Sequence, residues 1–333
     1  MTIKYAAYEE KYKGERAVWL KYDRYEAVLL PELGGNLIAF RDTVSQYSLL
    51  REPAEENMND FKQNPFEYGI PVLFPPNRYE DGKLAWNGKV YQLPVNEPAT
   101  GNHLHGFLHA VPWTVEHYEA SEWESSVTIS VKVAEGHSVY DHFPHSFTLR
   151  IRYTLSSLGL QQQVTVQNDG QDSMPNLLGF HTTINVPFVP GSTAQNYRLK
   201  LTIGERRELS SRQLPTGKFQ PLTAEEVQMK NEGVYPFFAE MDNHYTSEPQ
   251  NGRNRMELTD TANDVTLVYD VGTAYKHWMV WNNFGREGYI CPEPQINLVN
   301  APNVNLPAEE IGLIALEPGE IWEETSRLYI LHR

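Results

Sequence analysis

The sequence predicts a large all-β protein, an antiparallel β-sandwich with few short helices. Apolar and polar residues alternate with a period of two along many short segments, and turn sequences separate those segments. Successive side chains of a strand point to opposite faces, so this alternation places one face of each segment in a core. Strands that follow one another closely through turns favour an antiparallel sandwich.

The alternation is strongest in three segments. Residues 127–133 and 147–155 alternate throughout, and residues 160–167 alternate except at Gln162, which interrupts the apolar series. The sequence Ser-Ser-Leu-Gly at residues 156–159 predicts a hairpin turn between the second and third segments. We therefore expect these two segments to be neighbouring strands.

Weaker signals extend the prediction along the chain. Asn87-Gly88 supplies the positive φ of a tight hairpin turn between strand candidates at residues 84–86 and 90–93. A capping box at residues 223–226 opens one short helix, and we expect another within residues 54–63. The remaining strand candidates are residues 17–20, 25–30, 36–40, 265–269, 277–281, 289–293, 312–316 and 327–331.

Composition restricts the function. The chain has 333 residues with 28 basic and 43 acidic side chains, a formal net charge of −15, which argues against nucleic-acid and membrane partners. The single cysteine, Cys291, excludes an intrachain disulfide and fits a reducing compartment. The first ten residues lack an apolar signal core, and no apolar run approaches the roughly 20 residues of a membrane helix. We therefore expect a cytoplasmic protein. No linker or internal repeat divides the chain, so we expect one domain over residues 1–333.

A histidine-rich segment is the first candidate for chemistry. Asn77-Arg78 precedes it, and residues 102–109 contain His103, His105 and His109. On a strand these three histidines would share one face, as in a zinc site. Zinc would also need a carboxylate or a polarised water nearby, which nothing in the spacing requires, so we expect no metal. Substrate binding and ordinary hydrogen-bonded loop histidines are the two other interpretations.

Three further residues are candidates in chain order. His181 lies in an apolar, hydroxyl-rich stretch, where a lone histidine is more often a core residue. Asp242 lies in a segment typical of a turn, yet its carboxylate could accept hydrogen bonds from sugar hydroxyls. Glu293 ends an apolar strand between two prolines, which stiffen the backbone around a positioned base; a loop glutamate is the alternative.

Taken together, these motifs resemble the aldose 1-epimerase (galactose mutarotase-like) family. The resemblance covers about 220 residues and rests on five motifs in the family's order: Asn77-Arg78, His105-Gly106, His181 with Asn185, Asp242 with Tyr245, and Glu293-Pro294. It implies a galactose mutarotase-like supersandwich with a cleft across one concave sheet. It also implies interconversion of the α and β anomers of a free monosaccharide without a cofactor. We expect a monomer or homodimer.

The resemblance also implies residue roles. Glu293 would take the proton from the anomeric hydroxyl, His181 would donate a proton to the ring oxygen, and His105 would form a hydrogen bond near that oxygen. Each positioned proton transfer contributes typically about 10²–10⁴-fold. We expect mutual attraction to keep Glu293 ionised and His181 protonated.

Substrate binding is assigned on the same basis. Arg78 and Asp242 would orient the other hydroxyls, with Asn77 as a further binding residue. Trp86, Trp281, Phe180 and Tyr245 could stack on a sugar ring, although packing in the core of the sandwich is the more common role of such residues. Thr183, Ile184 and Gln295 depart from the galactose-type pattern, and we expect them in the substrate-facing wall, which points to a branch of the family other than the galactose-type one.

Three alternatives remain open from the sequence. A non-catalytic carbohydrate-binding protein would need neither the base nor the acid. A hexose-6-phosphate 1-epimerase would need several convergent cations, and Arg206, Arg207, Arg253 and Arg255 are candidates that we expect on a solvated surface. A glycosidase would need two opposed carboxylates, which Glu293 and Asp242 could supply.

Overall fold

The computed structural model describes residues 4–332, and strands are their dominant secondary structure. In chain order the first strands are β1 (Tyr5–Tyr12), β2 (Glu15–Tyr22), β3 (Tyr25–Leu30), β4 (Asn36–Asp42), β5 (Tyr47–Ser48), β6 (Val72–Leu73), β7 (Arg78–Glu80), β8 (Lys83–Trp86), β9 (Lys89–Gln92), β10 (Asn102–Leu104), β11 (Thr114–Ala120), β12 (Ser125–Val133), β13 (Phe147–Ser156) and β14 (Gly159–Asn168). The remaining strands are β15 (Met174–Asn176), β16 (Gly179–Phe180), β17 (Ile184–Val186), β18 (Tyr197–Leu201), β19 (Ile203–Leu209), β20 (Pro215–Gln220), β21 (Asp242–Ser247), β22 (Arg255–Asp260), β23 (Val265–Asp270), β24 (His277–Trp281), β25 (Gly288–Gln295), β26 (Ile314–Leu316) and β27 (Ile321–His332).

Helices are few and short, as predicted. The α-helices are α1 (Met58–Gln63) and α2 (Ala224–Asn231). The predicted capping box opens α2: the Thr223 hydroxyl accepts from the Glu226 backbone N–H, and the Glu226 carboxylate accepts from that of Thr223. Single 3-10 turns lie at Glu55–Asn57, Pro65–Glu67, Leu108–Ala110, Ala194–Asn196 and Asn283–Gly285.

Two large antiparallel sheets dominate the architecture and confirm the predicted fold class. The first has the strand order β11-β12-β13-β14-β27-β23-β22-β18, and the second has the order β20-β19-β21-β24-β25-β16-β6, with β17 also paired to β25. Strands β1 to β5 form a third sheet in chain order, and its strands β2 and β3 pack against β13. All named strand pairs are antiparallel, as hairpin-rich sequences favour.

The predicted hairpin between β13 and β14 shows how the sequence determines register. Ser156 pairs with Gly159, and Leu149 opposite Val166 places apolar side chains on one buried face. Gly159 has a φ of +92°, and a Cβ there would lie 2.4 Å from the Leu328 carbonyl oxygen, so the turn requires glycine.

The remaining strand predictions are confirmed, residues 25–30 and 277–281 with the predicted ends and the others with shifted ends. Residues 312–316 form a strand only from Ile314, because Gly312 has a φ of +64° and lies in a turn. The largest hydrophobic cluster extends from Val18 to Leu328 and draws side chains from all three sheets. On this basis we propose that residues 4–332 form one domain.

Candidate active site

One pocket collects all six residues predicted for the site. It has a volume of about 340 Å³ and is lined by Asn64, Phe66, Glu67, Asn77, Arg78, Glu97, His105, His181, Asp242, Trp281, Phe284 and Glu293. The second large sheet supplies its floor, because residues directly opposite on paired strands share one face. Glu293 of β25 pairs with Met279, and Asp242 of β21 pairs with Trp281 of β24.

Glu293 is held inside strand β25 rather than on a loop. On one side of β25, strand β17 pairs with residues 288–290 and β16 pairs with Gln295. The residues between them, 291–294, pair with β24 on the other side and have no strand partner on this one. The two flanking prolines lie in this interval. Such a position tolerates proline, because proline has no N–H that would need a hydrogen-bond partner on the side without a strand.

His181 contacts Glu293 directly. It follows β16, and its backbone N–H donates to the Pro71 carbonyl oxygen at 3.1 Å. Its Nε2 lies 3.2 Å from Oε1 of Glu293, and the two residues are only 4% and 2% exposed. His181, the single histidine of its apolar stretch, is therefore both buried and part of the pocket.

Burial favours the neutral form of both Glu293 and His181. It raises the pKa of Glu293 well above its ordinary value, with a further rise from Asp242 and opposition from Arg78 and the Asn77 amide. Burial also lowers the pKa of His181 to about 3. The expected ionised glutamate and protonated histidine are thus not favoured in this structure, because neither charge is solvated. In the neutral pair, the carboxyl O–H can donate to Nε2.

His105 lies on a sharp turn at the end of β10. Its φ is +66°, and its backbone N–H donates to the Asn77 carbonyl oxygen at 2.9 Å. The ring centroid lies 5.3 Å from that of His181 and 4.3 Å from that of Phe66. Burial, with a further contribution from His181, lowers the pKa of His105 well below its ordinary value, so the imidazole is neutral.

The interpretation of residues 102–109 as one strand with three histidines on one face is wrong. Strand β10 ends at Leu104 because His105 and Gly106 both have positive φ. His103 instead bonds through Nδ1 to the Pro94 carbonyl oxygen at 2.7 Å, outside the pocket lining. Across residues 4–332, no group of three or more His, Cys, Asp and Glu side chains could hold a metal ion.

Arg78 is clamped between two carboxylates. Its Nε donates to both oxygens of Glu97 at 3.1 Å, and its Nη2 donates to Oδ2 of Asp242 at 3.2 Å. Thr100 and Asn102 donate in turn to Glu97, which holds that carboxylate in place. Asp242 begins strand β21 rather than forming a turn. The clamp fixes the planar guanidinium at the pocket wall.

The sequence did not identify Glu97 or two of the three aromatic residues of the pocket. Trp281 lines it, as one of the candidates, but Phe180 and Tyr245 are core residues and Trp86 lies beside a different cavity. Phe66 and Phe284 complete the aromatic lining from 3-10 turns. Nothing in the local sequence distinguishes Glu97 from an exposed loop glutamate.

The expected placement of Thr183, Ile184 and Gln295 in the substrate-facing wall is wrong. All three are buried and absent from the pocket lining. The Thr183 hydroxyl donates to the Phe66 carbonyl oxygen at 3.0 Å, and Gln295 pairs with Gly179 beneath the surface. These positions support the wall from behind, because the chain runs inward after each of the two catalytic candidates.

The arginines considered for phosphate binding also lie outside the pocket lining. Arg207 is buried rather than solvated, and its Nη1 donates to Glu310 at 2.9 Å. Arg206 donates to Glu226 and Asn243. Arg253 and Arg255 pair with neighbouring acidic residues of β23 and β22.

No helix among residues 4–332 is both long and apolar enough to cross a membrane.

Fold and pocket together define a galactose mutarotase-like β-sandwich protein with a buried carboxyl–imidazole pair. The family model for aldose 1-epimerase matches residues 16–329, and the chain belongs to this family. A galactose mutarotase-like protein from Clostridium acetobutylicum is 32% identical, with a TM-score of 0.95 over 99% of both chains.

A more distant solved structure agrees in fold, and a curated protein matches part of the sequence. Galactose 1-epimerase from Lactobacillus acidophilus NCFM has a TM-score of 0.69 at 16% identity over 98% of both chains, a likeness of fold alone. The plasmid-encoded protein LacX of Lactococcus lactis subsp. lactis is 27% identical over 183 residues, 54% of either protein. The chain thus spans about half the length of the curated relatives it matches.

Proposed function

We propose that the protein is an aldose 1-epimerase, which interconverts the α and β anomers of a free aldose by opening and closing the sugar ring. The observation that carries this proposal is the 3.2 Å contact between Glu293 and His181 at the floor of the pocket. Anomer exchange needs one group that removes a proton and another that supplies one, and this pair offers both within reach of a single sugar ring.

The reaction balances with the one proton that the pair holds. In the reactive arrangement that proton lies on His181 and Glu293 is a carboxylate, which differs from the neutral pair only by transfer along the Nε2–Oε1 contact. Glu293 takes the proton of the anomeric hydroxyl as the C1–O5 bond breaks, and His181 gives its proton to O5. Rotation about C1–C2 exposes the other face of the aldehyde, and the reverse transfers close the ring.

The remaining groups orient the sugar. Arg78 and Asp242 present a guanidinium edge and carboxylate oxygens to the pocket, and sugar hydroxyls both donate and accept. Asn77 contributes an amide beside Glu293, and neutral His105 can bond near O5 without adding charge. Because burial raises the pKa of Glu293, its carboxylate is a stronger base than an exposed one.

The pocket's charge argues against a hexose 6-phosphate. Its lining contains the carboxylates of Glu67, Glu97 and Asp242, besides the neutral pair of Glu293 and His181, against the single guanidinium of Arg78. That guanidinium already bonds two carboxylates. A phosphate dianion would meet repulsion with no uncommitted cation in the lining, whereas a neutral aldose would not.

The proposal is tested by polarimetry. Purified protein is expected to accelerate the change in optical rotation of freshly dissolved α-D-glucose or α-D-galactose, and Glu293→Gln is expected to remove the acceleration. A non-catalytic carbohydrate-binding protein would instead bind sugars saturably, as seen by tryptophan fluorescence, with the uncatalysed rate unchanged. Failure to accelerate any common aldose would overturn the proposed activity.

A further inference from the structure

An exposed phenylalanine lies at the mouth of the pocket. Phe284 is 57% exposed, although it contributes to the pocket lining. The groups placed at the chemistry, such as Glu293 and His181, are almost fully buried. Exposed aromatic rings beside a pocket mark surfaces that bind a ligand, because water otherwise covers their apolar faces.

The backbone holds Phe284 in a conformation that phenylalanine rarely adopts. Asn283, Phe284 and Gly285 have φ of +52°, +57° and +73°. A left-handed conformation is strained for a bulky residue, and such residues concentrate at ligand-binding positions. Glycine or asparagine would fit this turn with less strain, so local folding does not explain the choice of phenylalanine.

Neighbouring hydrogen bonds impose the turn. Oδ1 of Asn282 accepts from the backbone N–H groups of Gly285 and Met241, at 3.0 and 2.9 Å. Its Nδ2 donates to the carbonyl oxygens of Pro236 and Ala239, at 3.1 and 2.7 Å. The buried Asn282 thus fixes the base of the turn and presents the Phe284 ring at the mouth.

A line of aromatic rings leads from the catalytic pair to Phe284. The Trp281 ring centroid lies 6.0 Å from that of His181 and 5.6 Å from that of Phe284, and the Trp281 and Phe284 planes cross at 87°. Phe284 is thus one ring further out than Trp281. A sugar whose reacting carbon reaches Glu293 occupies the inner part of this line.

Polar groups face the same mouth. Oε2 of Glu67 accepts from Nη1 of Arg51 at 2.8 Å and from the Tyr289 hydroxyl at 2.9 Å. That hydroxyl also lies 3.2 Å from Oδ1 of Asn283, so it links the 3-10 turn Pro65–Glu67 to the 3-10 turn Asn283–Gly285. Oε1 of Glu67 makes no hydrogen bond to any residue within 4–332 and is available to a ligand hydroxyl.

We propose that Phe284 and Glu67 form a second carbohydrate subsite, which takes the outer ring of a reducing disaccharide. The inference rests on the proposed function, which places C1 and O5 of the reducing ring at the buried pair. The opposite side of that ring, at C4, then faces the mouth, where a 1,4-glycosidic bond emerges. The apolar face of the next ring packs on Phe284, and its hydroxyls donate to Oε1 of Glu67.

The test compares maltose and cellobiose with glucose, by polarimetry, in the full-length protein. The wild type is expected to show a KM about three- to tenfold lower for at least one of these 1,4-linked disaccharides than for glucose, the range that one aromatic contact provides. Phe284→Asn keeps a residue suited to the turn, removes the ring and is expected to abolish this advantage. Phe284→Tyr is expected to retain it.

A matched control separates the subsite from a general effect of losing an exposed aromatic ring. Trp123 is 73% exposed in the turn between β11 and β12, and Trp123→Asn is expected to retain the disaccharide advantage. Equal KM values for all three sugars in the wild type, or an advantage that survives in Phe284→Asn, would overturn the subsite while leaving the proposed activity intact. Absence of turnover with glucose, galactose and every other common aldose would overturn the proposed function itself, and the subsite with it.

Discussion

Oε1 of Glu293 lies 3.2 Å from Nε2 of His181, and both side chains are almost completely removed from solvent. The pair therefore behaves as one unit that holds a single proton. Adding a second proton creates a buried imidazolium beside a neutral acid, and removing the first creates a buried carboxylate, so burial opposes both changes. The two forms that share one proton differ only in which atom carries it.

The first prediction concerns the pH dependence of kcat/KM for an aldose. Burial lowers the pKa of His181 to about 3 and raises that of Glu293, so the singly protonated pair persists on both sides of neutrality. We expect kcat/KM to remain level through the ordinary histidine pKa of about 6.5, down to about pH 5. Polarimetric rates, with folding checked by tryptophan fluorescence at each pH, would show this. An acid limb centred near 6.5 would indicate a solvated imidazole and contradict the account.

The second prediction concerns the clamp on Arg78. Arg78→Lys replaces a planar fork by a point charge that cannot bond Glu97 and Asp242 together, and we expect KM to rise about tenfold or more. Glu97→Gln weakens the clamp and should raise KM by a smaller factor. Glu225→Gln, on the exposed face of α2, is the matched control and should leave KM unchanged. A fall in kcat with KM unaltered would mean that Arg78 acts in the chemical step rather than in binding.

The third prediction concerns the turn that carries His105. Gly106 has a φ of +68°, and a Cβ there would lie 2.0 Å from the Phe74 carbonyl oxygen. Gly106→Ala is therefore expected to lower the free energy of unfolding by more than about 2 kcal/mol, measured by urea denaturation. Gly191 has a similar φ of +76°, and a Cβ there would have no atom within 4 Å, so Gly191→Ala should lose only about 1 kcal/mol. Equal losses in the two variants would exclude the backbone contact as the cause.

The fourth prediction concerns stability in acid. Burial lowers the pKa of seven histidines: His103, His105, His109, His145, His181, His244 and His277. Below about pH 6.5 the unfolded chain binds protons that the folded protein does not, so the free energy of unfolding should decrease as the pH falls. Glu293, with its raised pKa, contributes the opposite sign, but it is one group against seven.

Urea midpoints at pH 7.5 and pH 5 would measure this loss. Each histidine contributes at most about 1.4 kcal/mol per pH unit, and His145→Gln should reduce the slope. His117→Gln, at an exposed position of β11, should leave the slope as in the wild type. A midpoint that does not decrease toward pH 5 would rule out this effect of the buried histidines.

Much of the fold could be predicted because its strands carry their own signal. In β13, every second residue from Phe147 to Leu155 is buried, and this local periodicity is independent of distant contacts. The two residues of the proposed catalytic pair were identifiable because their order along the chain, with the Asn77-Arg78 and Asp242 motifs, resembles a known family. Their contact could not be derived from spacing, since His181 and Glu293 are 112 positions apart.

The errors have a physical cause in common. Thr183 and Gln295 lie two positions from His181 and Glu293, yet two steps along either segment pass from the pocket into the interior. Phe66 and Phe284 reach the pocket from 3-10 turns, where no periodicity indicates a buried face. Glu97 lines the pocket and pairs there with Arg78, and no local pattern around residue 97 indicates this contact.

The most direct test of the central claim is the rate at which the optical rotation of freshly dissolved α-D-glucose and α-D-galactose decays with the wild type and with Glu293→Gln. Glutamine keeps the shape of the side chain and cannot remove a proton, so we expect kcat to fall by at least about 10³-fold, with sugar binding by tryptophan fluorescence retained. Glu225→Gln should match the wild type. Acceleration by Glu293→Gln equal to that of the wild type would contradict the assignment of Glu293 as the base.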